Sequence, residues 1–112
     1  MSEASREDDL RDLTERIRRF ADDRDWHQYH SPKNLAMALS VEAAEILEHF
    51  QWLTGDESRV LGDDPAKRSA VADELADVAI YLLRLADVLG VDLGSAICRK
   101  MERNEERFPP QV

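Results

Sequence analysis

Apolar residues recur along this chain at spacings of three and four, not two. Leu10, Leu13, Ile17 and Phe20 share one face of a segment running from about Arg6 to Asp23, the period of an amphipathic helix. A polar and aromatic link follows, from Arg24 through Trp26 and Tyr29 to His30. Ser31-Pro32 then reads as a helix cap with proline at the first helical position. The helix it opens is rich in Ala, Leu and Met and extends to about Leu53, where Thr54-Gly55-Asp56 stops it. A loop leads to Asp64-Pro65, a second start of the same kind. The third helix runs from there to Leu89 and closes at Gly90, and the fourth runs from near Asp92 to about Arg107, ahead of Pro109-Pro110. β-branched residues are sparse and nothing alternates for long, so no strand is expected. Long amphipathic helices with short connections predict an all-α fold, an antiparallel four-helix bundle.

Composition narrows the setting. The 112 residues suggest one domain over positions 1–112, with flexible ends at 1–5 and 109–112. So small a domain buries a modest share of its surface, which makes a homo-oligomer a natural supplement. The net charge of −9 argues against a nucleic-acid polymer as partner, since such binders carry a basic footprint. It leaves room for a single nucleotide. Cys98 is the one cysteine, so no intramolecular disulfide forms, which fits a reducing cytoplasm. No apolar run reaches the roughly 20 residues that span a bilayer, and the acidic start MSEASREDDL is unlike a signal peptide.

Against this background four carboxylates stand out: Glu42 with Glu45, and Glu74 with Asp77. Each pair is spaced i, i+3 within an apolar stretch, so its members point within about 60° of each other. Like charges at that spacing repel, and charges facing a core are costly unless compensated. A hard divalent cation compensates them: all-oxygen ligation suits Mg²⁺, with Mn²⁺ the alternative. The stripe that carries Glu42 also carries Asn34, Glu45, His49 and Trp52, with Glu48 at its edge. Glu74, Asp77 and Tyr81 share a second stripe. Facing stripes would gather the carboxylates around a cation, with Trp26, Trp52 and Tyr81 as walls for a flat base. On the fourth helix Lys100, Arg103, Asn104 and Arg107 form a mostly basic stripe suited to phosphate oxygens. Taken singly, each feature has a plainer meaning: solvated acidic faces, core aromatics, a mixed charged helix, and His27 and His30 as caps or bridges. A Walker-type loop, a Gly-x-Ser-x-Gly elbow and a His-Glu-x-x-His motif are all missing from the sequence.

Glu42-x-x-Glu45 followed by Glu74-x-x-Asp77 resembles the metal signature of the MazG-like all-α nucleoside triphosphate pyrophosphohydrolases. Within them the chain looks most like the dCTP pyrophosphatase group. The segments Arg24–Leu35, Val41–Trp52, Glu74–Tyr81 and Lys100–Pro109 carry the resemblance in order. It implies Mg²⁺-dependent cleavage of a (deoxy)nucleoside triphosphate, dCTP or a modified pyrimidine nucleotide, to monophosphate and pyrophosphate in nucleotide-pool house-cleaning. It further implies Glu42, Glu45, Glu74 and Asp77 as ligands, and Trp26, Trp52 and Tyr81 around the base with His30 nearby. Lys100 and Asn104 would lie on the phosphates, and the sites at interfaces of a homodimer or tetramer. The chain departs from its relatives at Val41, where many have a Glu, at Ile17, where they often have a histidine near the base, and at His49, usually apolar. The sequence assigns His49 no role; a hydrogen bond to Glu45 or Glu48 is one use it allows. The expected chemistry is attack by a metal-activated water between the α and β phosphates. Glu45 or Glu48 would take the proton, while Lys100, Arg103 and Arg107 offset charge on the leaving group. The rival expectation is a non-catalytic helical module that binds nucleotide or metal.

Overall fold

The computed structural model describes residues 9–111. Among the described residues five α-helices follow one another: α1 (Leu10–Asp23), α2 (Pro32–Glu48), α3 (Gly55–Arg59), α4 (Pro65–Val88) and α5 (Leu93–Arg107). Single 3₁₀ turns occupy His27–Tyr29 and Leu61–Asp63, and no strand occurs among the described residues. None of these helices is long and apolar enough to cross a membrane. The expectations for residues 1–5 and for a helix opening at Arg6 lie outside the described residues.

Local chemistry sets most helix starts. The first backbone N–H groups of a helix have no intrahelical acceptor, and here a side chain supplies one each time. Asp9 accepts from Arg11 N at 2.8 Å, Ser31 from Asn34 N at 3.1 Å, Asp64 from Ala66 N at 3.0 Å and Asp92 from Ser95 N at 3.0 Å. The region after α2 departs from expectation. The helix ends at Glu48, not near Leu53, because Phe50 N and Gln51 N both turn onto the Leu47 carbonyl, at 2.9 and 2.8 Å. Thr54 does not stop α2; it starts α3. Its hydroxyl accepts from Glu57 N at 3.1 Å while its own N–H donates to Glu57 Oε1 at 2.9 Å, a reciprocal capping box.

α1 closes through Asp25, held in the left-handed region at φ 57°. That conformation lets Trp26 N reach back to the Ala21 carbonyl at 2.9 Å and Asp25 N to Asp22 at 3.1 Å, a Schellman-type stop. The reversal seats Trp26 edge-on against Phe20, with ring centroids 5.4 Å apart. Gly90, at φ 71°, performs the same reversal after α4, where Val91 N meets the Ala86 carbonyl at 2.8 Å.

α4 is the central helix. It packs most extensively on α2 and next on α1. The sealed core is small: Ala21, Leu35, Leu83 and Ala86, together with the guanidinium-bearing Arg84. α5 is tied to α1 at its start, where the capping residue Asp92 pairs with Arg11 at 3.5 Å. Beyond it Ile97, Met101 and Phe108 are exposed, as are Leu75, Leu82 and Leu89, seven residues apart along α4.

Candidate functional site

The docking of α2 on α4 brings three of the four expected carboxylates together. Glu42, Glu45 and Glu74 each offer an oxygen within 4.8 Å of the other two. Glu42 Oε2 and Glu74 Oε2 are sealed from solvent without a hydrogen-bond partner. Leaving such atoms unpaired is costly, and the charged form suffers most. Burial, then the neighbouring Glu45, Asp77 and Glu74, push Glu42 up to about 7. The contact with Glu45, followed by burial, raises Glu74 as well. Three acids crowded in this way, two with buried unpaired oxygens, have the donor set and the uncompensated charge that a hard divalent cation satisfies.

Asp77 lies outside the group of three and is exposed, though its charge raises both Glu42 and Glu74. His49 does not turn to Glu45 or Glu48. Its Nε2 faces Glu74 Oε1 across the helix pair at 4.0 Å, because α2 ends at Glu48 and His49 caps it. Glu48 itself is exposed one turn beyond Glu45.

Next to the carboxylates lies a cavity of about 140 Å³. Ile17, Phe20 and Ala21 from α1, Trp26 and His30 from the link, and Asp77, Ile80, Tyr81 and Arg84 from α4 line it. Three of the four residues expected around a base, Trp26, His30 and Tyr81, therefore meet at one place, beside the metal-stripe residue Asp77. Trp52 does not join them. The expected stripe assumed a helix through residue 52, but α2 stops four residues earlier, and Trp52 is 87% exposed. Asn34 is occupied elsewhere, its side-chain amide donating to the Tyr29 carbonyl at 3.0 Å and tying the link to α2. A larger cavity, about 610 Å³, sits between the start of α1, the end of α4 and the start of α5, and no carboxylate of the group lines it.

The basic stripe stands apart within the chain. Lys100, Arg103 and Arg107 are exposed and Asn104 is half-buried. Among the described residues no side-chain hydrogen bond or ion pair joins α5 beyond Ser95 to another helix.

Sequence reasoning overlooked Arg84, which is 3% exposed. Its Nε donates to His30 Nδ1 at 3.0 Å and its Nη1 to Asp87 Oδ2 at 3.5 Å. Asp87 is in turn gripped by Arg18 through two bonds of 2.9 and 2.7 Å, which hold its carboxyl below the usual carboxylate range. A signal was present: Glu74, Asp77, Tyr81 and Arg84 are spaced i, i+3, i+7 and i+10, one face of a helix. A charge on that face inside the run Ile80–Ala86 has to be paired.

The MazG-like family model matches residues 37–111. Human dCTP pyrophosphatase 1 is 44% identical over 108 residues, 96% of this chain and 64% of that protein. The Mus musculus protein of the same name is 42% identical over 105 residues, 94% and 62% respectively. The chain thus spans less than two thirds of the length of these curated relatives. A solved structure of a pyrophosphatase from Archaeoglobus fulgidus DSM 4304 superposes with a TM-score of 0.79 at 45% identity, covering 90% of this chain and 93% of that one. The matched residues contain all four carboxylates, and the solved pyrophosphatase shares the fold over nearly its whole length: the chain belongs to the MazG-like family.

Proposed function

We propose that the chain hydrolyses a nucleoside triphosphate, dCTP or a modified pyrimidine deoxynucleotide, to the monophosphate and pyrophosphate with Mg²⁺ as cofactor. The observation that carries this reading is the group Glu42, Glu45 and Glu74, with two buried oxygens that no protein donor satisfies. The names of the similar proteins, dCTP pyrophosphatase 1 and a pyrophosphatase, support the same reaction class. Glu42, Glu45 and Glu74 would hold the cation, with Asp77 completing the set from the cavity side. Bound there, a cation supplies charge neutralisation for the phosphates and a water of lowered pKa. The chain's own groups do the rest. Trp26 and Tyr81 flank a flat base, and Glu48, outside the crowded group, is the carboxylate free to accept a proton.

The phosphate contacts assigned to Lys100, Arg103, Asn104 and Arg107 require a second copy, since α5 does not reach the carboxylates of its own chain. In this reading the exposed stripe Leu75, Leu82 and Leu89 and the apolar residues of α5 pack on that copy and close the four-helix bundle. Leu89 and Leu75 are 57% and 54% exposed in one chain, and exposed leucines at a seven-residue spacing are suited to an interface. Sedimentation velocity checks this part, and a species of 12.8 kDa at micromolar concentration would sink it. A cytoplasmic enzyme acting on the nucleotide pool fits the reduced Cys98.

The direct test is incubation with canonical and modified nucleoside triphosphates, with and without Mg²⁺, separating pyrophosphate from orthophosphate. Mg²⁺-dependent pyrophosphate, greatest with pyrimidine deoxynucleotides, is expected. No release from any nucleotide would overturn the function in favour of a binding module.

A further inference from the structure

We propose that Arg84 is a positioning residue for base recognition: it fixes His30 with Nδ1 as acceptor and so presents Nε2–H as a hydrogen-bond donor to an acceptor atom on the base. This rests on the nucleotide reading given above and assigns it a specificity device.

The logic is one of proton inventory. Arg84 Nε lies 3.0 Å from His30 Nδ1. A guanidinium has five N–H donors, no acceptor, and does not lose its charge in proteins. Nδ1 must therefore offer its lone pair, and a neutral imidazole with a lone pair on Nδ1 carries its proton on Nε2. A second proton on Nδ1 would set one N–H against another. Burial, the Arg84 charge and His27 all lower His30 further from its cationic form.

The guanidinium has little freedom to do otherwise. Arg84 is sealed in the core, its Nη1 reaches Asp87 at 3.5 Å, and its Nη2 lies 3.4 Å from His27 Nδ1. Asp87 is held from α1 by both arms of the Arg18 fork. Three segments of the chain thus converge to hold one ring, on a residue that lines the cavity beside Trp26, Tyr81 and Asp77. Among the described residues His30 Nε2 makes no hydrogen bond, so its N–H is available to an occupant. A free histidine in water samples both tautomers; this one is committed before any ligand arrives. A base with an acceptor on the edge it presents, as cytosine has at O2 and N3, satisfies the donor. An apolar ring of the same shape leaves it unpaired.

The test combines ¹⁵N NMR of the histidine rings with kinetics on dCTP, using Arg84→Met, Arg84→Lys, His30→Ala and the double variant Arg84→Met/His30→Ala. In the native protein at pH 7, His30 is expected with a protonated Nε2 and a bare Nδ1. Arg84→Met is expected to release the other tautomer. It and His30→Ala should each raise KM for dCTP about tenfold, the worth of one hydrogen bond, with a smaller change in kcat. The double variant should bind no worse than His30→Ala alone, and Arg84→Lys, which keeps a cationic donor, should recover part of the loss. A protonated Nδ1 in the native protein would overturn the proposal. So would an Arg84→Met effect of equal size with and without His30, since that is the mark of a purely structural arginine. If Arg84→Met does not fold, the native nitrogen spectrum and Arg84→Lys decide the matter. Absence of dCTP cleavage by the native protein would strike the parent function, and the nitrogen spectrum would still decide whether Arg84 sets the ring.

Discussion

Glu42→Gln is expected to remove pyrophosphate release and, at the same time, to stabilise the metal-free protein above neutral pH. The first effect follows from its place in the carboxylate group. Losing a group that merely supports a metal ligand costs 10- to 100-fold in activity or affinity, so losing a ligand should cost on the order of 100-fold or more. The second effect follows from Glu42 Oε2, buried and unpaired beside two other acids. A glutamine keeps the shape and removes the charge.

The sign of the pH dependence follows from Glu42 standing near 7 in the folded chain, against an ordinary value of 4.5. Above 7 the carboxyl is ionised in both folded and unfolded states, and the cost of crowding is fully present. As the pH falls from about 7 towards 4.5 the folded state takes up a proton that the unfolded state does not, and stability rises. Glu74, also raised, adds to the same trend. His30 acts the other way, because its folded value is lowered and the unfolded ring gains its proton first. Asp87, held low, loses its contribution only below the ordinary aspartate value of 3.8, outside this window. The difference between native protein and variant cancels His30 and Asp87 and leaves Glu42 together with the part of the Glu74 titration that depends on it. Urea midpoints at pH 5 and pH 8 in the presence of a chelator measure it. The rise in midpoint on acidification should be smaller in Glu42→Gln. Native turnover in the variant, or an unchanged pH difference, would remove Glu42 from the site.

The second large effect concerns the cation alone. Mg²⁺ and a proton compete for Glu42, so Mg²⁺ affinity without nucleotide should be nearly flat above pH 7. Below pH 7 it should fall by roughly tenfold per pH unit as each bound cation displaces a proton. The raised Glu74 steepens the fall once its own proton is involved. Titration calorimetry in two buffers of different ionisation enthalpy would read both the affinity and the protons released. Constant affinity from pH 8 to pH 5.5, with no proton release, would mean that the cation does not use Glu42.

Much of this was legible in the sequence because it is local. Ser31, Asp64 and Asp92 cap helices through bonds to residues two or three positions away. Such bonds depend on nothing beyond the segment itself. The two acidic pairs are also local, since i, i+3 spacing fixes a shared face once the helix exists. Trp52 shows where local reasoning failed: the periodic pattern continued, but competing turns onto the Leu47 carbonyl and the capping box at Thr54 ended α2 before that residue. Both devices are visible in the residue types, and neither is visible in hydrophobic period.

By itself, then, the sequence determined the helices, most of their starts, the carboxylate pairs and the family they resemble. Tertiary structure decided which acids meet: Glu42, Glu45 and Glu74 converge while Asp77 faces the cavity, because the angle at which α2 lies on α4 selects among residues that a helical wheel treats alike. It also decided the role of Arg84. That residue is bound to His30 across 54 positions, and its neighbour Asp87 is bound to Arg18 across 69. Such contacts form only when distant segments are packed together, and the low dielectric of that packing makes an unpaired charge there so costly that its partners must be found.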